Sequence, residues 1–197
     1  MRGLLAAGAL CALLLTGCAT SDEPVTEPAT ATSAAAGRAE ALLTAHGLAG
    51  RSAVEVIDHL DRLSVDQRPA GLKASVRPSE LVLSSGVEEY PLAIPGDRFY
   101  LSVAPFVDRT HECFHHSLTT CKGELATAEL QVRIVDETHD KVLVDGARTT
   151  FDNGFAGFWL PRDIEGTLQV TYAGKTGRTR ITTGQDAPTC LTTVQLV

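Results

Sequence analysis

The order of apolar and polar residues predicts two helices and then a series of short strands. Ala41, Leu42, Ala45 and Leu48 recur at helical spacing, and Val54, Ile57, Leu60 and Leu63 follow at intervals of three. Ser52 stands before the second run with Glu55 three residues on, the arrangement in which each satisfies the other's free backbone N–H. Pro69, Gly71 and Pro78 interrupt any further helix, and residues 81–83 begin a strand. After Pro95-Gly96-Asp97 the pattern predicts strands over 99–107, 125–135, 141–144, 147–151, 155–160, 167–172, 178–182 and 191–196. Asp145-Gly146, Asp152-Asn153-Gly154, Glu165-Gly166 and residues 173–177 read as the turns between them. The class expected is α+β, a small N-terminal helical segment followed by a mostly antiparallel, β-sandwich-like domain. Trp159, with Phe155 and Phe158 beside it, reads as core.

The N-terminus follows a different logic. Arg2 precedes an apolar run over 4–15 that is too short to span a bilayer, the layout of an export signal over 1–17. Leu15-Thr16-Gly17-Cys18 resembles a bacterial lipobox, which implies that Cys18 carries lipid and anchors the chain to the outer face of the cell membrane. Residues 18–36 are almost only Ala, Thr, Ser, Pro and acidic side chains, so a flexible tether is expected. An N-terminal helical region over 37–95 and a β-rich domain over 96–197 complete the division.

A chain of 197 residues leaves no room for a large multidomain enzyme. Without residues 1–17, which hold only Arg2 among the charged residues, 16 basic side chains face 24 acidic ones, net −8 with neutral histidines. That balance argues against nucleic-acid binding.

Of five cysteines, Cys11 lies in the apolar signal run and Cys18 is assigned to lipid, so Cys113, Cys121 and Cys190 remain. An odd number in an oxidising compartment leaves one sulfur without an intramolecular partner. His111, His115 and His116 crowd around Cys113, and thiolate with imidazole is the donor set of copper or zinc. Three thiolates suit Cu(I), whereas structural zinc prefers four protein ligands, here Cys113, Cys121, Cys190 and one histidine. The metal-free alternative is a disulfide-stapled β-sandwich that binds at the cell surface, with Cys113 bonded to Cys121 and Cys190 a buried thiol, or Cys190 paired with one of them. Close thiolates can also reduce Cu(II) and become a disulfide. If the loop runs extended, His111, Cys113 and His115 share one face and His116 the other. No Gly-x-Ser-x-Gly or Cys-x-x-Cys motif is present, and residues 111–115, which spell His-Glu-x-x-His, lie between two predicted strands and not on the helix that motif needs, so no other enzyme chemistry is expected.

The stretch His111-Glu112-Cys113-Phe114-His115-His116-Ser117-Leu118-Thr119-Thr120-Cys121-Lys122-Gly123-Glu124-Leu125 closely resembles the signature of the CueP family of periplasmic copper-binding proteins. Asn153-Gly154-Phe155-Ala156-Gly157-Phe158-Trp159-Leu160-Pro161-Arg162 and the blocks Thr182-Thr183-Gly184 and Pro188-Thr189-Cys190-Leu191-Thr192-Thr193 look like its other landmarks. The resemblance implies a copper site of Cys113, Cys121 and Cys190, with His116 as the histidine of Cys-x-x-His. It further implies copper resistance in the envelope, copper held as Cu(I) and passed to a partner such as a superoxide dismutase, and a homodimer through the N-terminal region. A lipid anchor would set this chain apart from a freely diffusing periplasmic member.

Overall fold

The computed structural model describes residues 29–197, and side chains from residue 36 onward. The export signal, Cys18 and most of the expected tether therefore lie outside the described residues. Helix α1 (Ala29–Ala45) begins inside the stretch read as tether, where alanine, the best helix former, dominates. Helix α2 (Ala53–Arg62) starts at the expected cap: the Ser52 backbone N–H donates to the Glu55 carboxylate at 2.8 Å. Its buried stripe is Ala53, Val56, Ile57, Leu60 and Asp61, whereas Val54 and Leu63 are only half-buried. A 3.6-residue turn drifts away from a spacing of three, so the stripe rotates by one position. No helix of the described residues is long and apolar enough to cross a membrane.

Eleven strands follow, in three sheets. β1 (Lys73–Val76), β2 (Glu80–Ser84), β3 (Glu89–Ala93) and β5 (His116–Ser117) form the first, in the order β3-β2-β1-β5. β4 (Arg98–Val103), β8 (Ala156–Pro161) and β11 (Cys190–Leu191) form the second, with β4 central. β6 (Glu129–Asp136), β7 (Lys141–Thr149), β9 (Glu165–Tyr172) and β10 (Lys175–Thr182) form the third, in the order β10-β9-β6-β7. Named strands pair antiparallel except β11 with β4, and the expected α+β class holds.

Asp145-Gly146 is not a turn. β7 runs through both residues, with Leu143 as the extra residue of a bulge opposite the Ile134–Val135 step, and Asp145 pairs with Arg133. The reversal lies instead over 137–140, where Asp140 takes a φ of 50°. Gly146 keeps its place in the ladder opposite Val132 at a φ of 146°, a conformation that glycine adopts without steric cost.

The β11-β4-β8 sheet is covered on both faces, which explains why five of the six β4 residues are buried. Phe99, Leu101 and Val103 alternate onto one side, where they meet Phe158 and Leu160 of β8 and Leu130, Val132, Ile134, Leu168 and Val170 of the third sheet. Tyr100 and half-buried Trp159 point the other way, into a core made by α1, α2, β1 and β2. Trp159 is thus a packing residue: its ring centroid lies 4.8 Å from that of Tyr100, and its indole N–H donates to Asp58 at 2.9 Å. A third small cluster, of Ala104, Cys121, Phe155 and Cys190 with Cys113 against it, closes the end of this central sheet.

Candidate metal centre

Three chain segments meet at that end. β5 hydrogen-bonds to β1, with Val76 opposite His116, so the histidine belongs to the sheet beneath the helices. Cys190 opens β11 and lies beside Ser102 of β4. The Phe114 carbonyl ties them together by accepting the N–H groups of Thr189 (3.0 Å) and Cys190 (3.1 Å). Thr189 Oγ1 accepts the His116 N–H at 3.0 Å and donates to the Val76 carbonyl at 2.6 Å. A turn over 117–121 then returns the chain, with the Cys121 N–H donating to the Ser117 carbonyl at 3.1 Å.

This folding collects all three sulfurs. Cys113 and Cys190 are bonded as a disulfide, and Cys121, whose Sγ lies 3.6 Å from that of Cys113, is the free and buried thiol. The pairing is therefore the one across 77 residues, not the one within the loop. Two thiolates about 2.3 Å from one ion lie about 4 Å apart, so the Cys113–Cys121 spacing already suits a shared metal. Two groups hold their donor atoms within 4.8 Å of one another: His116, Cys121 and Cys190, all buried, and His111, Cys113 and Cys121.

The loop bends at residues 114 and 115, so the faces of an extended strand do not apply. His116 turns inward to the sulfurs, while His115 is exposed and belongs to neither group. His116 has an exposure of 0%. Its Nε2 meets Asp61 Oδ1 at 2.9 Å, leaving Nδ1 buried with no hydrogen-bond partner. A buried ring nitrogen is rarely left unpaired, and a soft metal held by the neighbouring thiolates would satisfy it.

Asp61 is the residue that motif reading misses. It too has an exposure of 0%, and its carboxylate accepts from Tyr100 Oη (2.7 Å) and Asn153 Nδ2 (2.8 Å) besides facing His116. Burial alone would raise its pKa, but the charge and hydrogen bond of His116, with the Tyr100 and Asn153 bonds, hold it below the ordinary carboxylate value. Burial alone would lower that of His116; the Asp61 carboxylate instead pushes it up to about 9. A carboxylate behind a metal-facing imidazole fixes the ring's orientation and raises its donor strength. Burial would likewise raise the Cys121 thiol, yet His116, the Ser117 N–H at 3.3 Å and the Arg68 charge hold it below the usual range. That makes the thiolate, the form that binds metal, more available.

The second motif wraps this network. Asn153 contacts Asp61, and Phe155 packs its ring 4.6 Å from that of His116. Gly154, at φ 81°, lies so close to Gly123 that a Cβ would sit 2.6 Å from the Gly123 carbonyl. A Cβ on Gly157 would overlap the Tyr100 hydroxyl that reaches Asp61. Gly154→Ala is therefore expected to cost about 2 kcal/mol beyond the backbone strain of a left-handed alanine, itself about 1–2 kcal/mol. Gly174→Ala, at φ 80° with open space around it, carries the strain alone. Urea unfolding of the two variants reads the difference; equal losses would mean that the Gly123–Gly154 contact yields freely.

Comparison with known proteins finds a family model and a solved structure that this chain resembles. Residues 55–195 match the family model described as "Periplasmic copper-binding protein CueP". A solved structure described as "Crystal Structure of S.CueP" superposes with a TM-score of 0.74 at 43% identity, over 80% of this chain and 96% of that one. No curated protein matches the chain.

Proposed function

Since this chain belongs to the CueP family of periplasmic copper-binding proteins, we propose that it holds copper, as Cu(I), through Cys113, Cys121 and Cys190 with His116. The observation that carries this reading is the meeting of three sulfurs with a buried imidazole nitrogen that has no other partner. The three thiolates are soft donors of the kind Cu(I) prefers, and membership of a copper-binding family favours copper over zinc at a donor set that either metal could use.

The Cys113–Cys190 disulfide supports a reductive step as well. Two thiolates give up one electron each, two Cu(II) become two Cu(I), and the sulfurs are left bonded to each other. Holding copper again through all three sulfurs then needs that disulfide reduced by an external thiol.

Lipid attachment at Cys18, with residues 18 onward as a tether, would keep this chemistry at the outer face of the cell membrane. We place the recipient of the copper among envelope proteins, a superoxide dismutase being one, and assign dimer formation to the region over 37–95.

Titration of the reduced protein with Cu(I) against a competing chelator tests the site. Cys190→Ser is expected to bind about tenfold or more weakly; a variant as tight as wild type sinks the three-sulfur site. The disulfide also favours a second reading, a metal-free binding module stapled between β11 and the loop. Mass spectrometry of anaerobically isolated protein separates the two, since a Cys113–Cys190 bond unaltered by reductant and copper supports the staple.

A further inference from the structure

The two donor groups differ in their access to solvent. His116, Cys121 and Cys190 are all buried, whereas His111 lines two surface clefts at once. One, of about 490 Å³, runs between His111, Lys122 and Glu124; the other, of about 470 Å³, runs between His111, Cys113 and Thr192. The segment carrying His111 is held on both sides. Glu124 accepts the N–H groups of Val107 (2.7 Å) and Asp108 (3.1 Å), and Thr110 Oγ1 donates to the Thr192 carbonyl at 2.5 Å. Phe155 packs against both imidazoles, its centroid 4.6 Å from His116 and 6.3 Å from His111. Cys121 is the one ligand common to both groups.

We propose that the reduced protein offers Cu(I) two positions that share Cys121. The outer one, made by His111, Cys113 and Cys121, takes up and releases the ion; the inner one, made by His116, Cys121 and Cys190, stores it. Passage between them exchanges Cys113 for Cys190 and His111 for His116 while the Cys121 sulfur stays bound, so the ion is never stripped of thiolate. The Cys113–Cys190 bond joins one ligand of each position, and its formation disables both together. This inference rests on the copper-holding reading above, whose four donors it divides between two positions and to which it adds His111.

The test measures equilibrium and rate separately, on the reduced full chain, with Cu(I) exchanged against a chromophoric chelator in stopped flow. His111→Ala is expected to slow both loading and release about tenfold, with the equilibrium affinity nearly unchanged. His111→Met, which restores a soft donor at the same place, is expected to recover the rates, and His115→Ala to leave them alone. Unchanged rates in His111→Ala overturn the outer position. A weaker affinity with faster release also overturns it, because His111 would then be a ligand of a single resting site. If wild-type protein binds no Cu(I) at all, the copper-holding reading itself fails, an outcome distinct from both.

Discussion

Replacing Asp61 by alanine is expected to destabilise the metal-free protein by roughly 3–5 kcal/mol, the loss seen when one partner of a buried charged pair is removed. The carboxylate is the acceptor for Tyr100 and Asn153 and the counter-charge of His116, all without water to replace it. Denaturant unfolding at pH 6 reads the loss, and a change under about 1 kcal/mol would mean that desolvation cancels the pair's attraction.

The same pair sets a pH dependence. His116, raised from 6.5 to about 9 when folded, binds its proton more tightly in the folded state. Its contribution is therefore complete below about pH 6.5 and lost as pH rises through 9, a fall of about 3 kcal/mol. Asp61, held below its ordinary 3.8, contributes above that value and is lost as pH falls further. Cys121, also lowered, titrates with the opposite sign to His116, so the slope is best read in a Cys121→Ser background. Asp61→Ala should abolish the slope there; a slope that persists would assign it to other groups.

Cys121→Ser is expected to weaken Cu(I) binding by a hundredfold or more, about 3 kcal/mol. Its sulfur belongs to both donor groups, whereas Cys113 and Cys190 each belong to one, so its loss leaves neither group complete. It is also the sulfur outside the disulfide, within 3.3 Å of a backbone N–H donor. Chelator competition on the three serine variants should rank Cys121 as the most damaging; binding by Cys121→Ser within threefold of wild type would refute its shared role. In air-oxidised protein, Cys121 is further expected to be the one thiol of the three that an alkylating reagent labels once the site is loosened by mild denaturant.

Asp61 shows how far a pattern can be followed. A run spaced by three, through Val54, Ile57, Leu60 and Leu63, hides it, because that spacing leaves position 61 off the stripe. The true helical period puts Asp61 one turn after Ile57, on the buried face, and a lone carboxylate on an apolar stripe is the signal that could have revealed a buried partner. The Asp145-Gly146 pair misleads for a related reason. Those residues permit a turn without requiring one, and the longer β6–β7 ladder overrides them.

The helix cap at Ser52, the alternation that makes the later half a set of strands, and the family to which the chain belongs were all legible along the sequence. Each of these rests on neighbours within a few residues or on short motifs, and local spacing carries such information. It took the tertiary arrangement to decide that Cys113 bonds Cys190 rather than Cys121, that His116 turns in while His115 turns out, and that Asp61 stands behind the His116 ring. The physical reason is that the centre lies where β5 of one sheet and β11 of another close on α2, bringing together residues 55, 77 and 92 positions apart. Contacts at those separations follow from how the two cores stack on the central sheet, which no local pattern encodes.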